Sequence, residues 1–244
     1  MLESCYSLFM IPTSPHYESR LNLFAYEKGR EVDVLFLGDS LIERFEVERF
    51  FPDLKCANRG IDGDTTARLL DRLVSSCNVE EPKFIILLIG VNNLANATDD
   101  YPYILAKLRK IYAKSRLFVI SLLPLGGIHS DGNKEVDICN EKLEAIVKTH
   151  REEYVNVHDY LLDQDGELKE EFTVQKMHQE IQVEVNNRLE KHQREYFLRE
   201  ELKAVKDELD KLARGIDPDN PEDLSDKDIE QSVRRRAKPS LLDR

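Results

Sequence analysis

The stretch Val32-Asp33-Val34-Leu35-Phe36-Leu37-Gly38-Asp39-Ser40-Leu41 decides the fold. Its apolar run is short and continuous, the pattern of a parallel strand covered by helices on both faces. Four similar runs follow: Cys56 to Asn58, Phe84 to Ile89, Leu117 to Leu122 and Tyr154 to Val157. Between them, apolar residues recur three and four apart, as in Leu69-Leu70-Leu73 and Ile104-Leu105-Leu108-Ile111-Tyr112, with Ile138, Leu143, Ile146 and Val147 read as one further face. Strand and helix alternating about five times predict a doubly wound α/β sheet of five parallel strands.

Composition bounds the rest. A chain of 244 residues, 41% hydrophobic and 34% charged, holds one real core with more charge than a compact domain needs. Lys+Arg 35 against Asp+Glu 47 gives a net charge of -12, which excludes sequence-independent nucleic-acid binding because phosphate repels such a surface. The run Phe84 to Ile89 is far too short to span a bilayer, and Glu3 with no basic residue ahead of the first apolar stretch argues against a signal peptide. Cys5, Cys56, Cys77 and Cys139 are scattered without a CxxC pair, so reduced thiols and a cytoplasmic location are expected.

Beyond Leu168 the pattern changes. Lys169 to Leu212 contains neither proline nor glycine, and Leu198, Leu202, Val205, Leu209 and Leu212 recur at spacings of four, three, four and three. This predicts a long C-terminal amphipathic helix with a heptad seam, which must bury that seam against its own domain or a partner. Gly215 and the run Asp217 to Asp223 then break structure, ahead of Arg234-Arg235-Arg236. The expected organisation is 1–170, an α/β domain; 171–214, the helix; and 215–244, a mobile acidic and basic tail.

The chemistry gathers in three loops, each after a strand: Gly38-Asp39-Ser40, Asn58-Arg59-Gly60-Ile61-Asp62-Gly63-Asp64, and Gly90-Val91-Asn92-Asn93. Ligands bind α/β sheets at the carboxyl ends of strands. Taken singly, each loop also reads as ordinary turn chemistry. Together they offer a hydroxyl nucleophile, a glycine N–H and an asparagine carboxamide, which acyl transfer requires.

Residues 32 to about 173 resemble the SGNH, or GDSL-type, hydrolases, especially the small platelet-activating-factor acetylhydrolase-like branch. The nucleophile block is Val34 to Ser40, the glycine block Asn58-Arg59-Gly60, and the third block Gly90-Val91-Asn92-Asn93, with asparagine where the family has aspartate. The resemblance implies a flavodoxin-like three-layer sandwich, no metal or organic cofactor, and a small acyl-ester substrate. It implies Ser40 as nucleophile and an oxyanion hole of the Ser40 and Gly60 N–H groups with the Asn92 side chain.

The family's closing Asp-x-x-His block is degraded. His178 falls near the position of the general base, but Gln175 replaces the aspartate that would orient it and stabilise its charged form. That predicts weak or lost turnover. Residues 168 to 212 also resemble the helical region that precedes the ATPase module of Lon proteases, notably from Asn187 to Lys206, and on this reading His178 is one more polar helix residue. No Gly-x-x-x-x-Gly-Lys-Ser/Thr loop is present, so the resemblance implies an interaction arm for self-association or a protein partner through 181–212, not an ATPase. His158 reads as a strand-end residue, and no cluster shows metal-ligand spacing.

Overall fold

Strand and helix alternate because each apolar run is punctuated by a turn and an amphipathic segment. The structure, a computed structural model, describes residues 14–164, 168–169 and 173–213. In chain order the elements are α1 (Pro15–Tyr26), β1 (Val34–Gly38), α2 (Ser40–Glu43), α3 (Val47–Phe50), β2 (Cys56–Gly60), α4 (Thr66–Ser76) and β3 (Phe84–Leu88). Then come α5 (Tyr101–Ile111), β4 (Arg116–Ile120), α6 (Asn133–Thr149), β5 (Glu153–Val155), α7 (His158–Leu161) and α8 (Val174–Ala213), with short 3-10 segments at Val91–Asn96 and Gly127–Gly132. The five predicted strands all form and pair in parallel, in the order β2-β1-β3-β4-β5.

That order fixes the layers. The steps β2 to β3, β3 to β4 and β4 to β5 run in one direction across the sheet, so right-handed crossovers place α4, α5 and α6 on one face. There Leu35, Leu37, Ile85, Leu87 and Val119 meet Leu69, Leu73, Ile104, Leu105, Leu108, Leu143 and Val147 in one buried core. The step β1 to β2 runs the other way and carries α2 and α3 to the opposite face. Phe36 there packs on Phe45 and Phe51, with ring centroids 5.6 and 5.5 Å apart.

Two helices differ from expectation. On α6 the buried residues are Val136, Cys139, Asn140, Leu143 and Val147, whereas Ile138 is 51% exposed, because the face turns one position away from it. Helix α1 was not foreseen. Its start is nonetheless written in Ser14-Pro15, where the Ser14 hydroxyl accepts the Tyr17 N–H at 3.2 Å and proline occupies the first turn.

The chain divides into two units, 1–185 and 186–244. The division falls inside α8, whose first turns belong to the unit 1–185. Met177, Ile181 and Val185 repeat every four residues and are buried, contributing roughly 5–9 kcal/mol of apolar transfer. In the second unit the seam residues Leu198, Leu202, Val205 and Leu209 are 53%, 69%, 53% and 59% exposed. The tail expected at 215–244 lies outside the described residues. No described helix is long and apolar enough to cross a membrane. Cys56, Cys77 and Cys139 are free thiols, and burial pushes Cys56 and Cys77 up to about 12.

Candidate active site

Gly38 stands in register with Gly60 on one side and Leu88 on the other, so the three chemistry-bearing loops leave the sheet at one level. β1 lies between β2 and β3, where successive crossovers diverge to opposite faces; this switch point is where such sheets bind ligands.

Asp39 follows β1 and caps α2, its Oδ1 accepting the Leu41 N–H at 3.1 Å. Ser40 is therefore the first residue of α2, half-buried at the rim, and its Oγ has no hydrogen-bond partner among the described residues. Burial pushes the Asp39 carboxyl up to about 7, and the nearby Asp64 adds to the shift. Because the folded state favours the protonated form, the stability this group supplies is complete below about 4 and is lost as pH rises towards 7. Asp39→Asn keeps an acceptor for Leu41 without a charge to bury. It is expected to flatten the fall in melting temperature between pH 4 and 8, measured by circular dichroism.

Gly60 does not present a free donor. Its N–H donates to Asn58 Oδ1 at 2.9 Å, and its carbonyl accepts from Arg20 Nε and Nη2 at 3.0 and 2.9 Å. A β-carbon there would lie 2.1 Å from the Glu43 backbone nitrogen, so this glycine lets α2 lie directly on β2. In this structure the Gly60 N–H, expected as an oxyanion donor, is taken up by the Asn58 side chain. Three residues on, Gly63 adopts φ +69°, has open space around it, and has an N–H without a partner among the described residues. The sequence reading passed over it, although a glycine between two aspartates is an evident left-handed turn position.

Asn92 reaches the same loop, its Nδ2 donating to the Asp64 carbonyl at 2.8 Å. Asn93 holds the start of α4: its Oδ1 accepts the Thr66 N–H at 3.3 Å and its Nδ2 donates to Thr66 Oγ1 at 2.9 Å. Beneath them, Arg72 donates from Nε to Asp64 Oδ2 at 2.7 Å, from Nη1 to Ser76 Oγ at 2.8 Å and from Nη2 to the Gly38 carbonyl at 3.0 Å. One buried guanidinium thus ties together the ends of β1 and β2's loop.

The structure does not join His178 to Ser40. His178 lies in the second turn of α8, and its Nε2 is 2.8 Å from the Leu41 carbonyl, to which it can only donate. Its ring stacks on Phe45 at 4.7 Å, and burial holds its pKa below the usual histidine range. Gln175 is exposed and makes no hydrogen bond to it among the described residues. The helix starts before His178, so the ring is aimed by helical geometry into the Phe45–Phe50 pocket. Of the other histidines, His16 pairs with Glu43 at 2.8 Å, and His158 sits at the end of β5.

A parallel sheet with helices on both faces thus carries a serine just past the end of β1 and amide-bearing loops after the neighbouring strands. The chain belongs to the GDSL-like lipase/acylhydrolase family, whose pattern matches residues 36–179, through both Gln175 and His178. It is 31% identical over 159 residues to human platelet-activating factor acetylhydrolase IB subunit alpha2, an alignment covering 61% of this chain and 66% of that protein. A Drosophila melanogaster homologue of the IB subunit beta is 29% identical over 152 residues, covering 58% and 67%. The chain thus spans 66% of the length of the human relative. Among solved structures, a Streptococcus pneumonia protein superposes with a TM-score of 0.65 at 23% identity, covering 71% of this chain and 92% of that one. A GDSL-like lipase from Bacteroides thetaiotaomicron gives 0.60 at 17% identity, covering 71% and 97%. At these identities the structures establish the shared fold.

Proposed function

We propose that the chain hydrolyses small acyl esters through an acyl-enzyme on Ser40, with weak turnover. The observation that carries this reading is the Ser40 Oγ, without a hydrogen-bond partner among the described residues, just past the end of β1, with Gly63 and Asn92 in the loops that follow the neighbouring strands β2 and β3. Ser40 Oγ attacks the ester carbonyl, the alcohol leaves with the serine's proton, and water cleaves the acyl-enzyme to free acid. Gly63 N–H and Asn92 Nδ2 stabilise the oxyanion in both steps.

Weak turnover follows from the base. His178 must give up the Leu41 carbonyl before it can serve Ser40, and no carboxylate at 175 stabilises the imidazolium. In the serine-protease triad, losing the carboxylate costs about 10⁴ in turnover. The second reading is an inactive SGNH-fold protein with a helical arm, resembling the Lon helical region, that self-associates or binds a protein partner. The exposed seam Leu198, Leu202, Val205 and Leu209 favours it.

Hydrolysis of p-nitrophenyl acetate separates the two. Slow turnover that falls to background in Ser40→Ala, and by about 10²-fold in Asn92→Ala, is expected. A parent rate equal to that of Ser40→Ala overturns the hydrolase reading and leaves the helical arm as the functional part.

A further inference from the structure

The turn that carries Gly63 is braced from α2. The Asp64 N–H donates to the Ile61 carbonyl at 3.2 Å, closing a four-residue turn from Ile61 to Asp64. Gly63 stands third in it with φ +69°, while Asp62 has no positive φ, which is the pattern of a type II turn. Types I and II differ by a flip of the central peptide, here the unit joining Asp62 to Gly63. That flip reverses the Gly63 N–H, so whatever restrains Asp62 also restrains the direction of this donor.

Asp62 is exposed, and its N–H has one acceptor among the described residues, Glu43 Oε2. Glu43 lies one turn along α2 from Ser40, with a side chain only 16% exposed. Its other oxygen, Oε1, faces α1, 2.8 Å from His16 Nε2 and 3.9 Å from Arg20 Nε. The two carboxylate oxygens therefore have separate duties: one fixes the side chain to α1, and the other holds the Asp62 amide. Hydrogen bonds to an ionised acceptor are roughly twice as strong as neutral ones. Arg44 also reaches Asp62, at 3.3 Å, but through an exposed side-chain pair that leaves the backbone amide untouched and contributes little.

We propose that Glu43 is a positioning residue for the reaction at Ser40: by accepting the Asp62 N–H, it holds the Gly63 N–H in the orientation that meets the oxyanion. Glu43 acts through the turn and touches no reacting atom. This role rests on the hydrolase reading, since it has no meaning without an acyl-enzyme on Ser40.

The test compares Glu43→Ala, Glu43→Gln and Arg44→Ala in the full chain by p-nitrophenyl acetate kinetics and by amide hydrogen exchange. In the parent, the Asp62 amide is expected to exchange about ten-fold or more slowly than the Gly63 amide, although both residues are exposed. Glu43→Ala loses that protection and lowers kcat by about ten-fold or more, with KM within about two-fold of the parent. Glu43→Gln still presents an oxygen to Asp62 and restores both, and Arg44→Ala keeps both. The exchange measurement in the parent stands whether or not Glu43→Ala folds. Three results overturn the positioning role alone: an unprotected Asp62 amide in the parent, a parent-like kcat in Glu43→Ala, or equal losses in Glu43→Ala and Glu43→Gln. The last assigns the effect to the charge and its contacts with α1. A parent rate equal to that of Ser40→Ala overturns the hydrolase reading itself, and the role of Glu43 with it.

Discussion

Arg72→Met is expected to lower the stability of the α/β unit by about 3–5 kcal/mol, the usual cost of removing one partner from a buried ion pair. Asp64 is fully buried and Arg72 nearly so, and three guanidinium bonds are lost at once: to Asp64, to Ser76 and to the Gly38 carbonyl. Burial already pushes the Asp64 carboxyl up against the pull of Arg72. Without that pull its folded-state pKa rises further above 3.8, so the loss grows as pH rises through and above that value. Urea unfolding at pH 5 and pH 8 measures both effects, with the larger deficit expected at pH 8. Adding Asp64→Asn to Arg72→Met removes the stranded charge and should recover much of the loss. A single variant within 1 kcal/mol of the parent, below the range expected for a broken buried pair, contradicts this account of the network.

Gly60→Ala is the second large effect. The new β-carbon would stand 2.1 Å from the Glu43 nitrogen, 2.6 Å from its Cα and 2.7 Å from the Ile42 carbonyl carbon, all of them backbone atoms that no rotamer change can move. Either β2 or α2 must shift, at a cost of about 3 kcal/mol, near the upper end for overpacking. α2 is a single turn that begins at Ser40, so a shift at Glu43 also moves Ser40, the proposed nucleophile. A displacement of about 1 Å in a catalytic group typically costs about 10² in rate. The expected result is therefore a melting temperature lower by about 6–12 °C together with loss of any p-nitrophenyl acetate turnover. A variant with the parent's melting temperature and unchanged turnover contradicts this account of the α2–β2 contact.

The three loops at the strand ends show what a linear sequence makes legible. Ser40, Asn92 and the glycine loop were legible because each directly follows a buried apolar strand, and strand ends in a parallel sheet meet on one rim. Which of the two glycines keeps its N–H without a partner among the described residues is not legible, since Gly60 and Gly63 lie in the same loop. Their difference arises from the Asn58 side chain folding back on Gly60 and from the left-handed turn at Gly63. Helix α1 is hard to read from sequence because its apolar residues are not confined to one face: Tyr17 and Phe24 are buried, whereas Leu23 and Tyr26 are exposed.

The sequence by itself determined the five strands, their parallel sheet and the long terminal helix, because these depend on periodicity and on local turn chemistry. It also placed His178 at the expected distance along the chain from Ser40. Only the tertiary structure decided where that histidine points. Once α8 starts at Val174, Met177, Ile181 and Val185 take the buried face, and His178 is carried with them onto Phe45 and the Leu41 carbonyl. Proximity in sequence to a family position sets which residue is available. The packing of the helix that carries it sets which atom it meets.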